Sequence, residues 1–218
     1  MAMTHIFRSR RLQAAALAVS ASAAIGCGDV ARTGRAPAFL IIEALEADSG
    51  ADDSQEFSSS LLSDVQTFVE EQRNGQTVRI PTRFNDQGRV RLRLALKNPG
   101  TAALPTTPST LNEVTISRYR VTFSRTDGRN TQGLDVPYAF EGGLTVTVPA
   151  QGTVEAAFDL VRHTSKSEPP LSNLIGGGSS RFINAIAEVT FYGRDQAGND
   201  LSVSGLVNVT FADFGDPR

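Results

Sequence analysis

In RVRLRLALKN, residues 89–98, every second side chain is aliphatic: Val90, Leu92, Leu94 and Leu96 alternate with Arg89, Arg91, Arg93, Ala95 and Lys97. A helix would spread that order around its whole circumference. A strand sends successive side chains to opposite faces, so period two yields one apolar face and one basic face. The basic face demands solvent and the aliphatic face demands cover. The cover must come from a second layer, and this one segment therefore commits the chain to a half-buried sheet.

The same period returns along the chain. RYRVTFS (118–124) aligns Tyr119, Val121 and Phe123, and LTVTVP (144–149) aligns Leu144, Val146 and Val148. TVEAAFDL (153–160) aligns Val154, Ala156, Phe158 and Leu160. NAIAEVTFYG (184–193) aligns Ala185, Ala187, Val189 and Phe191, and LSVSGLVNVTF (201–211) aligns Leu201, Val203, Gly205, Val207, Val209 and Phe211. Between the last two, RDQAGND (194–200) is a short polar turn with Gly198 free to adopt positive φ, which predicts a hairpin. AFLIIEALEA (38–47) reads as a buried first strand, ended by the acidic, Ser-rich run 48–60. LLSDVQTFVEEQ (61–72) fits a helix through Leu61, Leu62, Val65, Phe68 and Val69, and a strand through Val65, Thr67 and Val69. Many short strands between Gly/Pro-rich turns predict two packed sheets, an all-β sandwich. No linker divides residues 38–218, so the reading is one elaborated domain with a long loop near 162–182.

The hairpin VTFYGRDQAGNDLSVSG resembles the late strands of bacterial immunoglobulin-like domains, which implies an immunoglobulin-like antiparallel β-sandwich. A second resemblance lies at the other end. Residues 1–26 carry Arg8, Arg10 and Arg11 and no acid, and Leu12–Ile25 is uncharged and, apart from Gln13, apolar or small. That is the pattern of a secretory signal, too short to span a bilayer. It ends in Ala24-Ile25-Gly26-Cys27, with the chain's single cysteine. The sequence resembles the lipobox of bacterial lipoproteins, with Ala24 where leucine is usual. The resemblance implies cleavage between Gly26 and Cys27 and a diacylglycerol on the Cys27 sulfur, and two acyl chains suffice for stable anchoring. The competing reading of Cys27 is an ordinary buried core thiol. Residues 28–37, GDVARTGRAP, would follow the lipidated Cys27 as a flexible tether. In enteric lipoproteins a residue other than Asp after the cysteine, here Gly28, implies sorting to the outer membrane. The expected address is the cell envelope, on the periplasmic or surface side.

Without residues 1–26 the chain has 192 residues and 18 basic side chains against 23 acidic, a net charge of −5. That balance argues against nucleic acid, whose phosphates call for clustered Lys and Arg. Catalytic inventory is thin. His163 in VRHTSKSEPP has Ser165, Ser167 and Glu168 as neighbours in sequence, but triad members must converge in space and no G-x-S-x-G elbow is present. Zinc lacks its nitrogen and sulfur ligand set. Calcium could draw on Glu46, Asp48, Asp52, Asp53 and Glu56, or on Asp195, Asn199 and Asp200. Neither group has EF-hand spacing, so solvated loop and turn roles are expected instead. LIGGGSS (174–180) lacks the Lys-Ser/Thr of a phosphate loop. No catalytic, cofactor or metal site is expected. The basic face of Arg89, Arg91, Arg93 and Lys97 is the candidate interaction surface, with pairing to acids on neighbouring strands as its other explanation. The functional expectation is a non-enzymatic envelope module with a protein partner. The alternative is a small-ligand or glycan-binding lipoprotein, which would need a concave apolar site.

Overall fold

The computed structural model describes residues 34–51 and 56–214. Gly26 and Cys27, the signal segment, most of the tether, and the calcium candidates Asp52 and Asp53 lie outside the described residues.

The described chain is all-β. Its strands are β1 (Ala38–Asp48), β2 (Ser60–Asp64), β3 (Thr67–Arg73), β4 (Gln76–Thr82), β5 (Asp86–Leu96), β6 (Val114–Ser124), β7 (Phe140–Val148), β8 (Val154–Val161), β9 (Phe182–Asp195) and β10 (Asp200–Ala212). One helical turn, α1 (His163–Lys166), and short 3₁₀ turns complete it. The strands form a three-stranded sheet, β1-β5-β8, a five-stranded sheet, β2-β10-β9-β6-β7, and a separate ribbon, β3-β4.

Each alternating segment sits in a strand, and the apolar parity faces inward. Val90, Leu92 and Leu94 of β5 are buried, as are Ala185, Ala187, Val189 and Phe191 of β9. The two main sheets meet through an aromatic cluster. The Phe158 ring of β8 lies 5.1 Å from Tyr119 of β6 and 5.3 Å from Phe191 of β9, the latter edge-on at 85°. Edge-to-face pairs of this kind add to the area term of burial. The backbone at Gly88 lets Phe158 in: a Cβ there would stand 2.3 Å from the ring. β9 and β10 form the expected hairpin across residues 196–199, in antiparallel register from Asp200↔Arg194 to Ala212↔Phe182.

Two features depart from the sequence reading. The 61–72 segment is neither one helix nor one strand: β2 ends at Asp64, Val65 and Gln66 intervene, and β3 begins at Thr67. Also, β2 pairs with β10 in parallel, Asn208↔Ser60 through Ala212↔Asp64, so the five-stranded sheet is not wholly antiparallel. Parallel partners need a long connection, and the whole chain between β2 and β10 supplies it.

The strand directions define two poles. One holds Gly34–Pro37, the β5–β6 loop, residues 149–153 and the 196–199 turn. The other holds the ends of β1, β2 and β8, the 125–139 loop, the 162–181 loop and the β3-β4 ribbon.

Candidate functional site

The basic face of β5 is real and fully engaged along its arginines. Arg89 pairs with Glu46 of β1 at 2.7 Å, Arg91 with Glu155 of β8 at 2.5 Å, and Arg93 with Glu43 of β1 at 2.8 Å. Glu43 reaches Arg93 because a bulge between Ile42 and Ala44 turns it outward. Arg89 also stacks over Phe57 at 4.3 Å, and Lys97 Nζ donates to the Gly34 carbonyl at 3.3 Å. Arg91 holds the Glu155 carboxyl below its ordinary pKa. The stripe is a charge ladder across three strands, and its positive charge is largely spent inside the sheet.

The other candidates separate. His163 does not meet Ser165, Ser167 or Glu168 through its ring. Its Nδ1–H and its backbone N–H both donate to Asn85 Oδ1, at 2.8 and 2.7 Å, and Ser167 Oγ donates to the His163 carbonyl. Asp195 accepts from the backbone and side chain of Asn199, each at 2.8 Å, and Asp200 pairs with Arg194. Glu46 is committed to Arg89. Among the described residues no three His, Cys, Asp or Glu side chains gather as a metal would require. In the glycine loop, Gly176 N–H points at the Asp213 carboxylate, 2.5 Å away, so a protein acid holds the donor a phosphate would use.

A feature that strand alternation does not announce lies at the second pole. From Phe68 to Arg79 every residue is exposed, because β3 and β4 leave the body as a two-stranded arm. Its register runs from Thr67↔Thr82 to Arg73↔Gln76. Asn74 and Gly75 turn the chain with φ of 52° and 78°, the positive pair of a type I′ hairpin. One face of the arm carries Val69, Ile80 and Val78, and the other carries Phe68 and Pro81. Arg79 covers Phe68 at 4.8 Å, and Gln72 bonds Thr77 across the strands at 2.6 Å. Asn-Gly between alternating residues was the available signal, overshadowed by the helical spacing just before it.

The arm is rooted in a buried polar knot. Lys166 of α1 and Asp86 of β5 form an ion pair at 2.7 Å with no exposure of either side chain. Ser63 Oγ of β2 donates to Asp86 Oδ2 at 2.6 Å, and Gly50 N–H donates to Oδ1 at 3.1 Å. Three segments converge on one carboxylate of β5. Burial raises the Asp86 pKa, against the opposing pull of Lys166 and its hydrogen bonds. Beside it, Asp64 accepts from Gln66 N–H and Phe214 N–H. Burial lifts Asp64 to about 6, with Asp213 pushing the same way. Ser63 and Lys166 both bind Asp86 and are sealed from solvent, so no substrate reaches them. The knot fastens the arm's base and the 162–181 loop to the sheet.

Two open depressions mark the outer face of the five-stranded sheet. The larger, about 750 Å³, is lined by Tyr192, Arg118, Arg194, Ser202 and their neighbours. Arg118 lies over the Tyr192 ring at 3.8 Å. The smaller, about 330 Å³, is lined mainly by Asn184, Asn208, Thr210 and Thr126, with Ile186. Neither is the enclosed apolar concavity that a small-ligand site favours. No family model, no curated protein and no solved structure matches the chain.

Proposed function

We propose that the chain is a lipid-anchored cell-envelope protein whose β-domain is a non-enzymatic interaction module, presented by an anchor at one pole and an arm at the other. The anchoring reading rests on Ala24-Ile25-Gly26-Cys27 behind an uncharged, signal-like run. The interaction role is carried by one observation: the β3-β4 arm exposes Phe68, Val69 and Val78 well clear of the core. An isolated two-stranded ribbon gains little from its own fold, and its exposed β-branched ladder has the composition that accepts another chain's side chains or strand edge. The domain is further proposed to be an immunoglobulin-like sandwich, supported by the two facing sheets and the β9-β10 hairpin with its Ala197-Gly198-Asn199 turn. The Tyr192 depression favours a second reading, a glycan-binding lipoprotein, since an aromatic ring at an open polar hollow can stack on a sugar.

The test is crosslinking in intact native envelopes, read by mass spectrometry, with tagged wild type, Cys27→Ser and the arm variant Val69→Glu/Val78→Glu. The expected result is one dominant protein partner, weakened without the anchor and lost with the arm variant. A diffuse list of abundant proteins, indifferent to the arm, would overturn the module reading. Retention of glycan fragments by wild type but not by Tyr192→Ala would favour the alternative. Mass analysis of the mature N-terminal peptide decides anchoring: an unmodified Cys27 thiol refutes it.

A further inference from the structure

We infer that the pole where the chain enters the domain is a lipid-contacting surface, with Leu104 and Leu111 of the β5–β6 loop seated in the interfacial layer of the bilayer. The inference rests on the anchored reading above.

The first ground is where the chain outside the described residues ends. Gly34 accepts from Lys97 Nζ, and Lys97 N–H donates to the Pro37 carbonyl at 2.9 Å. The entering segment therefore lies against the residue that opens the β5–β6 loop. Gly34 is the seventh residue after Cys27, and seven residues of fully extended chain reach roughly 25 Å at most. A lipid on Cys27 keeps this pole within that distance of the bilayer.

The second ground is composition. Residues 98–112, NPGTAALPTTPSTLN, carry no charged side chain, in a chain where charged residues are 20%. Leu104 is 79% exposed and Leu111 67%, far more than any core-directed leucine. Lys97 immediately precedes the loop and Arg35 lies in the entering segment, cations of the kind that meet lipid phosphates.

The third ground is backbone satisfaction. Apolar surroundings penalise open N–H and C=O groups. This loop closes part of its own backbone. Thr101 and Leu104 exchange backbone hydrogen bonds at 3.1 Å, and Thr106 N–H donates to the Pro99 carbonyl at 2.9 Å. Gly100 N–H donates to Asn98 Oδ1 at 3.1 Å, and Asn112 N–H donates to the Ser109 carbonyl at 2.9 Å. Pro99, Pro105 and Pro108 have no donor to desolvate. The Thr101–Leu104 turn thus offers its leucine with the two residues at its ends already paired to each other.

The test uses the full chain produced with its signal and purified in detergent, with Cys27 lipidation verified by mass. An acylated Cys27 leaves no thiol, so Leu104→Cys, Leu111→Cys and Leu134→Cys each carry a single environment-sensitive fluorophore. Leu134 is equally exposed, at 70%, and sits at the opposite pole. In vesicles of phosphatidylcholine and phosphatidylglycerol, labels at 104 and 111 should shift to the blue relative to detergent-free buffer. Doxyl-phosphatidylcholine should quench them severalfold more than the label at 134. If acylated chains show equal, weak quenching at all three positions, the inference is overturned while the anchor stands. Labels at 104 and 111 that are shielded yet indifferent to doxyl lipid also overturn it, because protein then covers the pole. An unmodified Cys27 overturns the anchor and this inference together.

Discussion

Asp86 shows how a single carboxylate can be indispensable without being a net source of stability. Moving a charged pair out of water costs about what the pair returns, whereas removing one partner strands the other. Asp86→Asn keeps the shape and the Ser63 contact but leaves the Lys166 ammonium buried without a counter-charge. It is expected to lower the unfolding free energy by about 3–5 kcal/mol, read from the urea midpoint. The double variant Asp86→Leu/Lys166→Met should cost markedly less than Asp86→Asn alone. If it costs more, the knot contributes stability beyond charge compensation. A second residue-scale case is Gly88, where the absence of a side chain admits the Phe158 ring. Gly88→Ala should displace that ring from Tyr119 and Phe191 and cost about 1–3 kcal/mol by overpacking. An unchanged midpoint would mean the aromatic cluster adjusts freely. Neither residue stands out in the sequence. Asp86 is one acid among 23, and Lys166 sits in a polar loop that looks solvated, because the carboxylate it pairs with is 80 positions away.

Elements divide into those that carry their own pattern and those made by their neighbours. β5, β9 and β10 are buried on one face and exposed on the other, so alternation states both their existence and their orientation. β3 and β4 have no buried face beyond Thr67, and therefore no core to impose a period; only Asn74-Gly75 announces them. β2 is five residues long, and its parallel pairing with β10 is a tertiary choice that no local pattern encodes. The candidate site followed the same rule. The arginine stripe was legible because a strand displays it, while the arm and its knot depend on chain reversal and long-range contact. The arm's independence has a measurable consequence. Its amides should exchange with deuterium orders of magnitude faster than those of β9, since local opening need not break the core. Val69→Glu/Val78→Glu should change global stability by less than about 0.5 kcal/mol, as exposed substitutions generally do. Slow exchange in the arm, or a large loss in that variant, would mean the arm is part of the cooperative unit.

At the scale of the whole molecule, the two poles are built from different chemistry. The entry pole is uncharged at its loop, whereas the arm pole gathers Asp64, Asp86, Asp213 and Lys166 in or beside its base. That concentration gives the domain an unusual response to pH. Asp64 has a folded pKa of about 6, above its unfolded value of 3.8, so folding favours the protonated acid. Its contribution is greatest below the unfolded value and is lost as pH rises through 6. Asp86 is raised in the same direction. Glu155 and Asp127 are lowered by Arg91 and Arg125, and they act oppositely: their stabilisation is present above the unfolded carboxylate range and fades as pH falls below it. The domain should therefore become more stable between pH 7 and pH 5, with Asp64 supplying about 1 kcal/mol, before losing stability in stronger acid. Urea unfolding across that range measures the rise, and Asp64→Asn removes the titrating group while keeping an oxygen for Gln66 and Phe214. A flattened rise in the variant assigns the effect to Asp64. An identical rise in both proteins would place the proton elsewhere in the fold, with Asp86 the next carboxylate to replace.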